Sequence, residues 1–261
     1  MRMYIVDAFT DTPFAGNPAG VVLLDAPADE DWMQSVAAEL KHSETAFVEA
    51  NAPEPHPLRW FTPSTEVDLC GHATLATAHV LGGSRTFETR SGPLTCTATG
   101  GGWVEMDFPA DPGEPVDADP TLVDALGGVT IEHVERGVSD LLVVASDAAQ
   151  VRAVRPKATL AELPARGVIV TAPSDVEGSE GSEGSDFVSR CFFPGAGVDE
   201  DPVTGSAHCT LAPYWAQRLG KQELVGRQVS ERGGTVRMTL SGDRVGLTGQ
   251  AVTIARGELC V

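Results

Sequence analysis

The chain has 261 residues, 37 acidic and 18 basic side chains, a formal net charge of −19 and 42 % hydrophobic residues. The acidic excess is spread along the chain and only three of the basic residues are lysines. This argues against nucleic acid and against an anionic membrane as partners, because phosphates would be repelled and no Lys/Arg stripe is present. The length allows a substantial core, in one large domain or two smaller ones sharing an interface, and two are expected.

In chain order, "MRMYIVDAF" reads as a strand, "TPFAGNPAG" as a turn-rich loop and "VVLL" as a short buried strand. "DEDWMQSVAAELK" follows as a helix with Trp32, Val36, Ala37 and Leu40 on its inner face and acids in its first turn, where the dipole favours them. "ETAFVEA" and "LRWFT" read as strands, residues 71–82 as a helix, and "RTFETR", "LTCTAT" and "WVEMDF" as further short strands. The Pro- and acid-rich segment 109–120 is the expected linker between domains at 1–112 and 118–261, with the last strand free to return to the first domain. Beyond it come strands at "LLVVA" and "GVIVTA", a helix from about Gly205 to Leu219, and closing strands from "LVGRQVS" to "VTIARGE". "SDVEGSEGSEGSD" has no core-forming residue and reads as a mobile surface loop. Five cysteines without a C-x-x-C pair suit a reducing, cytoplasmic setting. No signal-peptide core precedes the first strand and no apolar run approaches a membrane span.

The chain repeats itself. Arg59-Trp60-Phe61-Thr62-Pro63 matches Arg190-Cys191-Phe192-Phe193-Pro194 as R-x-F-x-P, and each copy runs through a loop into E-x-x-x-x-G-x-A. Glu66, Gly71 and Ala73 thereby pair with Glu200, Gly205 and Ala207. Two copies of strand, loop and helix imply two similar α/β domains related by a pseudo-twofold axis. If the two helices start at a shared cleft, their unpaired N–H groups favour an anion such as a carboxylate, and Gly71 and Gly205 allow it close to the backbone.

The stretches "VDAFTDTPFAGNPAGVVLL", "HSETAFV", "LRWFTPSTEVDLCGHATLATAHVL" and "FFPGAGVDEDPVTGSAHCTLAPYW" resemble the phenazine-biosynthesis PhzF-like family, within the wider superfamily of diaminopimelate epimerase and proline racemase. The resemblance spans essentially the whole chain apart from the Gly/Ser/Glu-rich insertion. It implies an α+β fold of two domains, each a mainly antiparallel, β-barrel-like sheet around a central helix, and a cofactor-free, metal-free site in the cleft between them. It assigns the acid/base glutamate of S-E-T-A-F to Glu44, beside Ser43. The substrate-contacting histidine of C-G-H-A-T maps onto His72 after Gly71, and the aspartate of E-D-P-x-T-G-S-A onto Asp201, ahead of Gly205 and Ser206. The chemistry implied is isomerisation by proton movement on a small carboxylate-bearing molecule, in a homodimer.

Each residue also has a plainer reading. Glu44 alone is an acid at a strand edge, His72 a helix-start residue satisfied by backbone carbonyls, and Asp201 a helix cap before Pro202. His42, His79 and His208 are read as structural. Cys70 at a helix start has the setting of a reactive thiolate. The second copy carries Thr204 where a partner thiol would stand, so the two-thiol racemase mechanism is incomplete. Metal binding through Cys70 and His72 lacks further ligands at zinc-like spacing. The alternatives to a PhzF-type isomerase are therefore an epimerase or racemase using Cys70 with another base, and a non-catalytic small-molecule-binding protein.

Overall fold

In the computed structural model, which describes residues 1–175 and 184–261, the chain divides into two compact units, Met1–Phe108 with Gly246–Val261, and Pro109–Val245. Most of the Gly/Ser/Glu-rich stretch read as a mobile loop lies outside the described residues. Among the described residues, no helix is long and apolar enough to cross a membrane.

The first unit runs β1 (Arg2–Ala8), β2 (Asn17–Leu23), α1 (Glu30–Leu40), β3 (Glu44–Val48), β4 (His56–Phe61), β5 (Glu66–Val67), α2 (Gly71–Leu81), β6 (Gly83–Glu88), β7 (Leu94–Gly100) and β8 (Trp103–Pro109). The second runs β9 (Glu114–Pro115), α3 (Pro120–Ala125), β10 (Ile131–Arg136), β11 (Asp140–Ala145), α4 (Ala148–Ala153), β12 (Gly167–Pro173), β13 (Phe187–Phe193), β14 (Val198–Asp201), α5 (Gly205–Leu219), β15 (Glu223–Gln228) and β16 (Gly234–Ser241). A long last strand, β17 (Arg244–Glu258), pairs with β1 of the first unit.

In the first unit the pairings close on themselves. β1 pairs antiparallel with β2, β2 parallel with β3, β3 antiparallel with β4 and β4 parallel with β6. β6, β7 and β8 follow as antiparallel neighbours, and β17 joins β8 back to β1. Such closure leaves the barrel no free edge. Helix α2 fills it: every residue from Gly71 to Ala78 is buried. Its apolar and small residues surround the axis instead of forming a stripe, as a helix enclosed by strands requires. Helix α1 instead lies outside, capped by the Asp29 carboxylate on Asp31 N–H at 3.0 Å. Met33, Val36 and Ala37 are buried, with Trp32 and Leu40 packed against the same cluster.

The second unit repeats this order. β10–β11 is antiparallel, β11–β12 parallel, β12–β13 antiparallel, β13–β15 parallel and β15–β16 antiparallel. The registers align the copies residue by residue. Phe61 faces Thr45 and Arg59 faces Phe47 in the first unit; Phe192 faces Val168 and Arg190 faces Val170 in the second. Each arginine then makes the same contacts. Arg59 Nε and Nη2 donate to Glu66 at 2.6 and 2.5 Å, and Arg190 Nε and Nη2 donate to Glu200 at 2.7 Å each. Each guanidinium also lies over the phenylalanine two residues on, at 5.1 and 5.0 Å. The matching sequence positions therefore encode a bidentate ion pair that ties a strand to the loop entering each buried helix.

The segment expected as a linker is docked on the second unit. Asp111 donates its N–H to Cys209 O at 3.0 Å and accepts from Thr210 Oγ1 and Val138 N, both at 3.0 Å. Glu114–Pro115 pairs with β10, and Asp119 caps α3. Two of the acidic groups that made the segment look solvated, Asp111 and Asp119, are hydrogen-bond acceptors. The sequence reading also lacks β10, α3 and α4, which at six residues each are too short for a clear period.

The two ion pairs differ in what else holds them. Arg190 is 8 % exposed and also donates to the carbonyl of Val154 at 2.8 Å, whereas Glu66 keeps a second cation, Arg90, at 2.5 Å. Arg190→Met is expected to destabilise the fold by about 3–5 kcal/mol, the usual cost of breaking a buried pair, and Arg59→Met by clearly less. Urea denaturation of both variants measures the difference, and equal losses would contradict this account.

Candidate active site

In the first unit, Glu44 begins β3 and Gly71 begins α2, directly after Cys70 in extended backbone conformation. Both starts are fixed by the residues that continue into the core: Thr45 to Val48 on the strand and Ala73 to Ala78 on the helix are buried. This brings three side chains together. Glu44 Oε2 lies 3.4 Å from His72 Nε2, and Cys70 Sγ lies 3.5 Å from His72 Nδ1. Ser43, partly exposed, stands immediately before Glu44.

One imidazole nitrogen thus lies near the carboxylate and the other near the thiol. His72 is buried, and loss of solvation, with a smaller contribution from His42, pushes its pKa down from 6.5 to about 3. The carboxylate 3.4 Å away does not offset that desolvation, so the contact joins Glu44 to a neutral ring. A neutral imidazole carries one N–H. Nδ1 is the nitrogen within hydrogen-bond reach of the Cys70 thiol; Nε2, buried, makes no hydrogen bond to the described residues and meets Glu44 only at 3.4 Å. The carboxylate, sulfur and imidazole donor atoms lie within 4.8 Å of one another. Three donors this close could also hold a metal ion, with Glu44 supplying the further ligand that spacing along the sequence did not show.

The equivalent helix start in the second unit is built differently. Thr204 occupies the position of Cys70, ahead of Gly205. Its N–H donates to Gln228 Oε1 at 2.9 Å, its hydroxyl to Asp201 Oδ2 at 2.6 Å, and its carbonyl accepts from His208 Nδ1 at 2.7 Å. Asp201 is therefore not the cap residue of α5; it lies at the end of β14 and accepts the hydroxyl of the residue that is. Gln228 Nε2 closes the cluster by donating to Asp201 O at 2.7 Å. Ser206 Oγ accepts from Arg166 Nη2 at 3.1 Å. The thiols nearby are held protonated by burial, Cys209 up to about 12 and Cys191 well above its ordinary value.

Of the residues singled out from sequence, Ser43, Glu44, Gly71 and His72 thus gather in the first unit, and Asp201, Gly205 and Ser206 gather in the second. His79 meets Thr253 at 3.1 Å. Gln228, Asp140 and Arg166 were missed. Gln228 could have been noticed as a polar residue inside the strand-like "LVGRQVS"; Arg166, ahead of an apolar strand, looks like any solvated charge.

Comparison with known proteins places these features in context. The family described as "Phenazine biosynthesis-like protein" matches residues 6–257. An uncharacterized isomerase of Pseudomonas aeruginosa is 48 % identical, covering 99 % of this chain and 98 % of its own. The crystal structure of a PhzF-family phenazine biosynthesis protein from Enterococcus faecalis superposes with a TM-score of 0.92 at 41 % identity, over 100 % of this chain and 99 % of the other. A probable proline racemase from Agrobacterium radiobacter, 12 % identical, shares the fold with a TM-score of 0.64 over 100 % of this chain and 93 % of its own. The fold is the α+β, diaminopimelate epimerase-like type.

Burial of two neutral histidines has a consequence for stability. The pKa of His208, desolvated although Nδ1 has a backbone partner, falls to about 4, and that of His72 to about 3, against 6.5 ordinarily. Below pH 6.5 the unfolded chain takes up protons that the folded chain refuses, so stability falls as pH drops from about 6.5 toward 4. Each histidine contributes on the order of 1.4 kcal/mol per pH unit in that window. Urea denaturation between pH 7 and 4.5 should show a shallower dependence for His208→Gln than for the wild type. Parallel curves would refute the assignment.

Proposed function

Because the chain belongs to the phenazine biosynthesis-like, PhzF family, we propose that it is a cofactor-independent isomerase of PhzF type. It moves a proton on a small carboxylate-bearing substrate by acid/base catalysis. The observation that carries this reading is the 3.4 Å contact between Glu44 and a His72 ring kept neutral by burial. A carboxylate takes a proton from one carbon of a conjugated substrate and returns it to another. A neutral imidazole beside it leaves the carboxylate able to take up a proton, whereas an imidazolium would hold it ionised. The substrate's negative charge is met by backbone N–H groups at the start of α2, where Gly71 leaves room for close approach.

The 3.5 Å contact of Cys70 with His72 Nδ1 favours one further reading. There the thiol, deprotonated through the ring, is the base of an epimerase. The Thr204 position argues against its two-thiol form: the hydroxyl proton is donated to Asp201, and an alcohol is a poor base near neutral pH. A non-catalytic binding protein would retain the anion-binding helix starts without proton transfer.

Solvent-deuterium incorporation into a panel of small carboxylates, followed by mass spectrometry, separates these readings without requiring the product to be identified. Absence of exchange across a broad panel would favour the binding protein. For a substrate that exchanges, Glu44→Gln should lower kcat/KM by about 100- to 10,000-fold, and turnover unchanged by it would remove Glu44 from the mechanism. Cys70→Ser should cost less than about tenfold if sulfur only packs and hydrogen-bonds, and about 100-fold or more if it is the base. A severe loss in Cys70→Ser with Glu44→Gln near wild type would assign the chemistry to the epimerase.

A further inference from the structure

The registers that align the two copies also identify the counterpart of the proposed base. Glu44 pairs with Ala19 at the first position of the β2–β3 ladder, and Gly167 pairs with Asp140 at the first position of β11–β12. The other edge agrees: Thr45 faces Phe61 and Val168 faces Phe192, the phenylalanines of the two R-x-F-x-P segments. Glu44 therefore corresponds to Gly167, and Ser43 to Arg166. A side chain cannot leave Gly167, because a Cβ there would lie 2.0 Å from the Phe193 ring. The polar function has moved one residue back. In the first copy the strand start meets the second helix residue through Glu44 and His72; in the second it does so through Arg166 and Ser206, 3.1 Å apart.

Arg166 is held as a fixed cation. Its Nε donates to Asp140 Oδ1 at 2.9 Å and its Nη2 to Asp140 Oδ2 and to Ser206 Oγ, while the guanidinium carbon lies 5.3 Å from the centre of the Phe193 ring. Asp140 is buried, which fixes the pair, yet the Arg166 side chain is 43 % exposed. Of its five N–H groups, those on Nε and Nη2 account for three. The two on Nη1 have no partner among the described residues. A pair of hydrogens on a preoriented arginine beside Ser206 suits a carboxylate oxygen.

We propose that Arg166, oriented by Asp140 and adjoining Ser206, is a carboxylate-binding site of the second unit. The site is complete within that unit and stands apart from the isomerase reading. Duplication has then yielded different functions at equivalent positions, the proposed base in one copy and a carboxylate-binding cation in the other.

The competing explanation is that Arg166 only neutralises the buried Asp140. The test measures binding of anthranilate and of its uncharged analogue 2-aminobenzamide to the full chain by titration calorimetry. The wild type should prefer the acid by about tenfold or more, the order of one charge-assisted contact. Arg166→Gln alone leaves Asp140 buried without its cation and risks misfolding, so the paired variant Arg166→Gln with Asp140→Asn is the informative one. It should fold and lose the preference. Asp140→Asn alone frees the guanidinium from its competing carboxylate and should keep or increase it. A wild type without preference for the acid, a paired variant that retains it, or an Asp140→Asn protein that loses it would each overturn the proposal. Deuterium exchange in Glu44→Gln is read separately. Its failure to fall would sink the isomerase mechanism while leaving the acid-over-amide preference intact.

Discussion

The arginine–glutamate pair formed in each unit is the constraint on which the rest depends. A helix enclosed by strands must begin somewhere inside, with its first N–H groups unpaired and its entering loop drawn away from water. Arg59–Glu66 and Arg190–Glu200 hold that loop against the adjacent strand through two parallel hydrogen bonds each. An aromatic face beneath each guanidinium limits its freedom further. The loop is therefore rigid where the helix starts, and the polar residues at that start, Cys70 and His72 in one copy and Thr204 and Ser206 in the other, have defined positions. Precise placement of this kind is the condition for proton transfer over hydrogen-bond distances.

The same scaffold has been fitted with different chemistry twice. Around α2 a carboxylate, a neutral imidazole and a thiol lie close together, with the imidazole within hydrogen-bond reach of the thiol. Around α5 each polar hydrogen of Thr204 is committed, to Gln228 and to Asp201, and its carbonyl is held by His208. That cluster is suited to holding a helix start rigid rather than to titrating.

A chain with a formal charge of −19 could be expected to repel acids. In the proposed reading, local fields outweigh that charge. Helix N-termini contribute partial positive charge over a few ångströms, and ionised surface groups beyond a Debye length are screened. Burial meanwhile favours the neutral forms of His72, His208, Cys191 and Cys209. Each helix start is therefore lined by neutral histidine and thiol groups, and in the proposed reading a carboxylate there would meet helix dipoles rather than the acidic surface.

The sequence by itself determined the duplication, both buried helices and most of the strands, because these depend on local period and on short motifs. R-x-F-x-P and E-x-x-x-x-G-x-A kept the ion-pair residues at matching positions, and that spacing is visible without coordinates. It also named Glu44, Gly71 and His72, through a resemblance rather than through any property of an isolated glutamate. Only the tertiary structure decided what those residues touch. The cluster of Glu44, His72 and Cys70 joins residues 26 to 28 positions apart with residues two apart, and Arg166 reaches Ser206 across 40 positions. Such contacts arise from strand pairing and closure, not from local pattern. The docking of residues 109–120 was hidden for the same reason: prolines and carboxylates look solvated until partners such as Val138 and Thr210 come from elsewhere in the chain. Burial, which makes His72 neutral, is likewise a property of the closed barrel and has no local signature.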